Sequence, residues 1–408
     1  MNSGDTAWLL ISTALVLLMT PALAFFYGGM VRRKNLLSTI MMSFAILCMV
    51  SVLWVVYGYT LAFGPDVKGL IGDFSWSWLL GVGQDPSSVY ATTVPHLAFM
   101  AFQASFAIIT VALWTGAVVE RIKFGALLAF AALWFTLVYL PVAHWVWGAG
   151  GWLATLGALD FAGGTVVHVN AGISALALAM VLGPRKGFKE GEPMEPNNIP
   201  FVVLGAALLW FGWFGFNAGS ALTAGGLASS AFIATNTAAA SAGFTWMILG
   251  WVNRRPSVLG AATGAVVGLV AITPAAGFVP VWAAIPIGMI ASIISYYVMV
   301  WRAKSGKLDE SLDVFACHGM GGTWGALATG IFATTAVNPA GSGLLDGNWK
   351  QLGIQVVAIA ATMIYAFGIS WLLAKALKAT VGLRVKEEEE AVGLDISQHG
   401  ETAYGGVS

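Results

Sequence analysis

Charged residues are scarce in this chain of 408 residues. Asp, Glu, Lys and Arg make up only 9% of it, whereas soluble domains carry about 25%. This scarcity excludes an ordinary soluble domain. Acidic and basic residues balance at 19 each, so the charge gives no reason to expect a nucleic-acid partner. Because 58% of the residues are hydrophobic and the mean hydropathy is +0.81, we predict a polytopic membrane protein.

Cysteine is nearly missing as well. Cys48 and Cys317 are the two cysteines, and both fall within apolar runs. A disulfide framework or a thiolate metal site would need more thiols at closer spacing. We therefore expect two buried apolar side chains and predict neither a metal nor another cofactor. A basic segment before the first apolar run, Trp8–Tyr27, is also lacking, so we expect that run to remain as the first span.

The chain contains eleven apolar runs that are long enough to cross the ~30 Å hydrocarbon core of a bilayer. They cover approximately residues 8–29, 37–63, 96–119, 124–143, 161–183, 199–218, 227–252, 257–275, 280–301, 312–335 and 351–377. This pattern predicts an all-α polytopic membrane protein with eleven transmembrane helices. The predicted transmembrane domain covers residues 1–378, and residues 379–408 form a predicted cytoplasmic tail.

Eleven spans suggest an arrangement of five plus five plus one. An odd number of spans in each half inverts the second half relative to the first, as in many transporters. The predicted repeats cover about 8–183 and 199–335, and the eleventh helix covers about 351–377. Of the 19 Lys and Arg residues, 17 fall on one side of the predicted membrane. Since basic loops face the cytoplasm, we predict a cell (inner) membrane protein with its N-terminus outside and its C-terminus in the cytoplasm.

Two histidines occur within these runs, His168 in the fifth span and His318 in the tenth. Each begins a His-x-x-x-Gly segment, and ionisable side chains within a bilayer tend to mark ion, proton or substrate paths. A neutral imidazole offers one donor and one acceptor, so an aligned pair could bind a small polar molecule or relay a proton. This chemistry favours a weak base or water over a metal cation. The alternative is two unrelated core histidines, each bonded to a backbone carbonyl.

Other candidate residues lie near the predicted outer face. Asp160 precedes the fifth span, where a carboxylate either caps the helix N-terminus or attracts a cation. The aromatic residues Phe106, Trp147 and Phe216 belong either to an interfacial anchoring belt or to a site that holds a cation against ring faces. Ser220 adds a hydroxyl acceptor at the end of the sixth span.

Several motifs resemble those of the Amt/Mep/Rh ammonium transporter family, and specifically its prokaryotic Amt branch. They occur in order along nearly the whole chain. The motifs are Phe26-Tyr-Gly-Gly29, Glu120-Arg-Ile-Lys123, Asp160-Phe-Ala-Gly-Gly-Thr-Val-Val-His168-Val-Asn-Ala-Gly172, Gly212-Trp-Phe-Gly-Phe-Asn-Ala-Gly-Ser220 and Asp313-Val-Phe-x-x-His318-Gly. The presence of both Trp147 and Ser220 favours the Amt branch over the Rh branch.

The resemblance implies a role for each candidate residue. Phe106, Trp147 and Ser220 match the outer ammonium-binding site, and Phe106 with Phe216 matches the ring pair that closes the pore beneath it. His168 and His318 match the twin histidines of the pore, which line it or relay a proton. Asp160 matches an acidic residue that holds the outer vestibule together. The resemblance further implies a homotrimer and a cytoplasmic PII signal protein as a partner.

The function that we predict is therefore transport, and not an enzyme activity. Ammonium (or methylammonium) would bind outside and lose a proton near the Phe gate, and ammonia would cross the hydrophobic pore, with or without separate proton transfer. An alternative is an ammonium sensor that signals through its tail. A membrane oxidoreductase with bis-histidine haem and a water channel are two further alternatives. The sequence argues against a water channel, because such channels carry paired Asn-Pro-Ala turns and Asn338-Pro339-Ala340 occurs only once.

Overall fold

The computed structural model describes residues 1–253 and 255–404. Arg254, one of the basic residues used above to predict orientation, and residues 405–408 of the predicted tail lie outside the described residues. The helices that correspond to the predicted spans are α1 (Ser3–Met30), α2 (Leu36–Leu53, continuing through Trp54–Gly58 to Tyr59–Phe63), α3 (His96–Leu113), α4 (Phe124–Trp134, continuing through Phe135–Tyr139 to Leu140–Trp147), α5 (Gly164–Val169, then Asn170–Leu182), α6 (Ile199–Gly219), α7 (Gly226–Asn253), α8 (Val258–Ile272), α9 (Ala284–Ser305), α10 (Phe315–Met320, then Gly321–Phe332) and α11 (Trp349–Thr380).

The all-α membrane fold that the sequence predicts is confirmed. In the described part of the chain, nine helices are long and apolar enough to cross a membrane. The helix α8 is shorter at 15 residues, and α10 begins with a π-helical turn. The count of eleven crossings and the inverted repeat therefore remain predictions.

The long loop at 64–95 lies between α2 and α3, outside the predicted spans, and adds short strands to the helical fold. It contains two small antiparallel hairpins, Asp66–Val67 with Ile71–Gly72 and Pro86–Ser87 with Ala91–Pro95. Gly69, at φ +73°, supplies the left-handed conformation that the first turn requires. The short helix Trp152–Leu156 lies beside this loop, and the Trp152 N–H donates to the Gly69 carbonyl (3.1 Å).

Small residues let the helices approach closely. The helix α1 packs along α6, α7 packs on α8 and α9, and α11 packs on α5. At Gly205 of α6, a Cβ atom would overlap the backbone nitrogen of Phe26 in α1. At Gly172 of α5, a Cβ atom would overlap the backbone of Gly319 in α10. Small residues at such crossings are typical of helices that pack in lipid.

The described part of the tail folds back on the bundle. It contains two short helices, Glu387–Val392 and Leu394–His399. The Asp395 carboxylate accepts the N–H groups of Leu37 (3.0 Å) and Ser38 (2.7 Å) at the start of α2, and the Glu390 carboxylate accepts the N–H of Lys186 (2.6 Å). The tail is therefore fixed against the loops that the sequence assigns to the cytoplasm.

Candidate functional site

His168 on α5 and His318 on α10 face each other inside the helix bundle. Their Nδ1 atoms are 3.1 Å apart, and the ring planes are inclined by 28°. The rings are buried, with exposed fractions of 1% and 4%. A hydrogen bond needs one donor and one acceptor, so only one of the two Nδ1 atoms carries a proton when both rings are neutral. The Nε2 atom of His168 is buried and has no hydrogen-bond partner among the described residues, so it can bond a small molecule.

Local backbone geometry brings the two rings together. Each histidine lies in a six-residue π-helical turn at the start of its helix. His168 lies in Gly164–Val169 and His318 in Phe315–Met320. Such wide turns recur at functional sites because they redirect side chains. The close crossing of α5 and α10 at Gly172 and Gly319 lies one turn after His168 and directly after His318. The glycine in the first His-x-x-x-Gly segment therefore permits the contact between the rings.

Two phenylalanine rings lie above the histidines. Phe106 of α3 and Phe216 of α6 have ring centroids 4.2 Å apart, with planes inclined by 33°. The Phe216 ring is 6.1 Å from that of His168. Trp213, which we did not predict as a site residue, also stacks on His168 at 5.5 Å, and its Nε1 donates to Thr273 Oγ1 (2.8 Å). The sequence feature that could have predicted Trp213 is its position one helical turn before Phe216.

A pocket of about 230 Å³ lies on the other side of this ring pair, and we call it the outer pocket because the sequence assigns its end of the bundle to the outer face. Phe106, Trp147 and Ser220, the three residues predicted for the outer site, all line it. The Phe106 and Trp147 rings meet edge to face at 5.8 Å. Ser220 Oγ donates to the Phe216 carbonyl (2.8 Å), which leaves the oxygen lone pairs of Ser220 available as acceptors.

Gln103 lines the same pocket and was not among the predicted residues. Its Oε1 atom is buried without a hydrogen-bond partner among the described residues. Gln103 precedes Phe106 by three positions on α3, so both side chains lie on one face of that helix. That spacing was the available signal in the sequence.

Asp160 lies at the N-terminus of α5 and binds it through both carboxylate oxygens. The carboxylate accepts the N–H groups of Gly163 (2.8 Å), Gly164 (2.6 Å), Thr165 (2.8 Å) and Val166 (3.3 Å), as well as the Thr165 hydroxyl. Its backbone carbonyl accepts Trp147 Nε1 (2.9 Å). Asp160 therefore caps the helix that carries His168 and also orients an outer-pocket ring.

Beneath the ring pair, a cavity of only about 10 Å³ has room for one water-sized molecule. Its walls include Phe216, both histidines and apolar side chains such as Ile109 and Leu113. His318 also lines a third cavity of about 900 Å³ on the side of the predicted cytoplasmic loops. The three cavities thus follow one another, with the ring pair and the histidines at the narrowest part.

Acidic residues that we did not predict as site residues lie at the inner end of α10. Asp313 lines the third cavity, of about 900 Å³, and pairs with Arg302 (2.7 Å). Glu310 is fully buried; its Oε2 accepts the Phe315 N–H (3.2 Å), and its Oε1 has no partner in the described part of the chain. Burial and the neighbouring Asp313 raise the pKa of Glu310 to about 7. The sequence feature that could have predicted Glu310 is its spacing from the histidine, because Glu310 precedes His318 by as many residues as Asp160 precedes His168.

The Glu120-Arg-Ile-Lys123 motif lies in a buried ion-pair cluster rather than at the cavities. The Glu120 carboxylate pairs with Arg32 (2.9 Å) and Arg185 (3.2 Å), and Arg185 also pairs with Asp309 (2.9 Å). Burial alone would raise the pKa of Glu120, but Arg185 and Arg32 together hold it below its usual value. This cluster joins loops that the sequence assigns to the cytoplasm.

The two histidines do not suit the axial positions of a haem. Their Nδ1 atoms bond each other directly at 3.1 Å, which leaves no space for an iron and its macrocycle between the rings. The bis-histidine alternative is therefore not supported by the geometry.

Two wide cavities with a narrow cavity of one-molecule size between them, inside an apolar helix bundle, are typical of a membrane transport protein. Comparison with known proteins gives the family. The model of the Ammonium Transporter Family matches residues 7–404, so the chain belongs to that family. The resemblance inferred from the motifs is confirmed.

Individual relatives agree with this assignment. The ammonium transporter Amt1 of Archaeoglobus fulgidus is 53% identical over 405 residues, which cover 99% of this chain and 100% of that protein. An ammonium transporter of Bacillus subtilis is 52% identical, with 99% of each chain covered. The crystal structure of Candida albicans Mep2 has a TM-score of 0.90 at 35% identity and covers 99% of this chain and 91% of its own. A structure described as a sensor Amt protein has a TM-score of 0.88 at 31% identity, with 97% and 98% covered.

Proposed function

We propose that this protein transports ammonium by binding it outside, removing a proton and passing ammonia through the constriction. The observation that carries the proposal is the direct contact of His168 and His318 at the narrowest part of an otherwise apolar passage. Membership in the ammonium transporter family supports the choice of substrate.

The outer pocket suits a cation that can donate hydrogen bonds. The rings of Phe106 and Trp147 offer cation–π attraction, and the Ser220 oxygen offers a hydrogen-bond acceptor. Potassium has a similar size and charge but cannot donate to Ser220 or lose a proton. The pocket therefore binds ammonium. The proton that the ion loses near Phe106 and Phe216 passes to the His168–His318 pair, which selects against an ion that has no proton to lose.

The constriction below the ring pair excludes ions. An isolated charge in such an apolar space costs roughly tens of kcal/mol, whereas neutral ammonia avoids most of that cost. Ammonia can hydrogen-bond the unpaired Nε2 of His168 as it passes. The hydrogen bond between the rings supports a separate route for the proton, so we propose that ammonia and a proton both cross.

Ammonium-evoked current in proteoliposomes tests this proposal. An inward current in the wild type, absent from empty vesicles and strongly reduced in His168→Ala and Ser220→Ala, is the expected result. Labelled methylammonium uptake measures transport independently of charge. Electroneutral uptake would contradict the proton co-transfer, and the absence of both uptake and current would contradict transport itself.

The assembly and orientation are also proposals. We propose a homotrimer in the cell (inner) membrane, with one pore in each subunit, the N-terminus outside and the C-terminus in the cytoplasm. Exposed apolar side chains on α7, such as Phe244 (62%) and Trp251 (72%), need lipid or a neighbouring subunit to cover them. Native mass spectrometry tests the trimer. Pull-down of a purified PII protein by the reconstituted transporter tests the proposed partner.

A sensor is the second candidate function. Similarity to a sensor Amt protein and the docking of the tail on the loops through Asp395 and Glu390 favour it. A sensor would bind ammonium with little conductance. Ammonium binding without uptake or current in proteoliposomes would therefore favour the sensor.

A further inference from the structure

We propose that Gln103 is a second hydrogen-bond acceptor for the ammonium ion in the outer pocket and helps to set its affinity. This inference rests on the proposed function, because it assumes that the pocket formed by Phe106, Trp147 and Ser220 binds ammonium. It adds a residue that the motifs of the sequence did not single out.

The first argument is that Gln103 carries an unsatisfied acceptor. Its Oε1 atom is buried and accepts no hydrogen bond from the described chain. Most buried polar atoms have a partner, and leaving one without a partner is unfavourable. A group that donates a hydrogen bond inside the pocket would remove this penalty, and the ammonium ion carries four N–H donors.

The second argument is position. Gln103 and Phe106 lie on one face of α3, and both line the 230 Å³ pocket together with Trp147 and Ser220. The side chain of Gln103 thus belongs to the same small space as the residues proposed to hold the cation. In the described structure its amide makes no hydrogen bond that would commit the side chain to a purely structural role.

The third argument is that the other polar groups of the pocket are partly committed. Trp147 Nε1 donates to the Asp160 carbonyl, and the Ser220 hydroxyl proton goes to the Phe216 carbonyl. The Ser220 oxygen keeps at most two lone pairs for an ion with four N–H donors, so Ser220 alone accepts only part of the hydrogen bonding that ammonium offers. Gln103 supplies a second acceptor, and the faces of Phe106 and Trp147 provide the cation–π attraction.

The test is the dependence of the ammonium-evoked current on ammonium concentration in proteoliposomes. Gln103→Met removes the acceptor and preserves the approximate shape of the side chain. A hydrogen bond to a charged donor accounts for about tenfold or more in affinity, so the half-saturating concentration should rise about tenfold. The maximal current should change far less, because Gln103 lies outside the constriction.

Two further variants separate the acceptor from a change in pocket shape. Gln103→Glu keeps the acceptor oxygens and adds negative charge, so its half-saturating concentration should be no higher than that of the wild type. Leu222→Met alters an apolar side chain that lines the same pocket and removes no acceptor. It should raise the half-saturating concentration much less than Gln103→Met does. Thermal melting of each purified variant establishes that it is folded.

The outcomes distinguish this inference from the proposed function. If Ser220→Ala weakens the response and Gln103→Met leaves the half-saturating concentration at the wild-type value, the role of Gln103 is wrong and the outer site stands. If Gln103→Glu weakens binding as much as Gln103→Met, the acceptor oxygen is not the cause and the inference is overturned. If the wild type gives neither current nor uptake, the proposed function fails, and this inference fails with it.

Discussion

The segments that lead to the two histidines resemble each other and differ in one respect. In each, an acidic residue stands eight positions before the histidine, as Asp160 before His168 and Glu310 before His318, and each acid accepts N–H groups where its helix begins. The outer carboxylate accepts five hydrogen bonds from residues 163–166. The inner one accepts the Phe315 N–H, and its Oε1 has no partner among the described residues.

This difference in hydrogen bonding gives the two acids different roles: Asp160 is a structural helix cap, and Glu310 is a cap that can titrate. Asp160 has both oxygens occupied by its own helix, so the geometry favours the capping role over direct contact with a cation. Glu310 is buried beside Asp313, and its pKa of about 7 is close to neutral pH. The same position in two similar segments thus has different electrostatic properties because the surrounding donors differ.

Removal of each acid should show the largest contrast. Asp160→Ala leaves four N–H groups and a hydroxyl unpaired, so we expect a loss of stability on the order of 3–5 kcal/mol and a strong loss of transport. Glu310→Ala removes fewer hydrogen bonds and should cost clearly less. Thermal melting and methylammonium uptake measure both effects. Unchanged melting of Asp160→Ala together with lost uptake would instead favour direct contact of Asp160 with the cation.

Replacement of either histidine should reduce the current by a similar factor. His168→Leu and His318→Leu each remove one end of the Nδ1–Nδ1 hydrogen bond. We expect a loss of ammonium-evoked current of about a hundredfold or more, as is typical when a group that transfers a proton is removed. His399→Leu in the tail is the matched control and should retain the current. Full current in either pore variant would contradict a relay that needs both rings.

The helix crossing should respond unequally to added methyl groups. Gly172→Ala would overlap the Gly319 backbone, whereas a Cβ at Gly319 would meet the Phe315 side chain at 3.1 Å, which can shift. We expect Gly172→Ala to cost about 1–3 kcal/mol and to lower uptake by separating the rings, and Gly319→Ala to cost less. Melting temperature and uptake of the two variants test this. Equal tolerance of both substitutions would show that the crossing does not set the distance between the rings.

A further expected effect concerns pH. A folded-state pKa of about 7 for Glu310, above the ordinary 4.5, means that the folded protein holds a proton that the unfolded chain has lost between these values. The stability that this group contributes should therefore fall as pH rises from about 4.5 to about 7 and then stay level. Glu310→Gln should remove this part of the pH dependence. Parallel melting curves for wild type and Glu310→Gln across this range would contradict the raised pKa.

Much of the helical framework followed from apolar length, since a run such as 199–218 can be little other than a helix in a bilayer. The pairing of His168 and His318 could be suspected because both lie in glycine-containing segments of corresponding spans. Their separation could not, because the rise along a helix does not tell how α5 and α10 cross. The contact depends on the overlap between Gly172 and Gly319 and on two π-helical turns.

Other parts of the site depended on which atoms lack partners. Gln103 and Glu310 each have one buried oxygen without a partner among the described residues, and no periodicity in the sequence identifies such an atom. Trp213 is one of 18 tryptophans, most of which could serve equally well as membrane anchors. The hairpins in the 64–95 loop could not be predicted in this way. That segment lies outside the apolar runs, so length and hydropathy do not determine its backbone conformation.

The bond between the two imidazoles has a consequence for repeated turnover. If the pair relays a proton, one ring accepts a proton while the other ring releases one. After this transfer, each ring is in the tautomer opposite to the one in which it began. Before the next proton can pass in the same direction, both rings must return to their initial tautomers. They can do so by reorienting or by exchanging protons with molecules that enter the constriction. Each transfer in the same direction would therefore need one such resetting step.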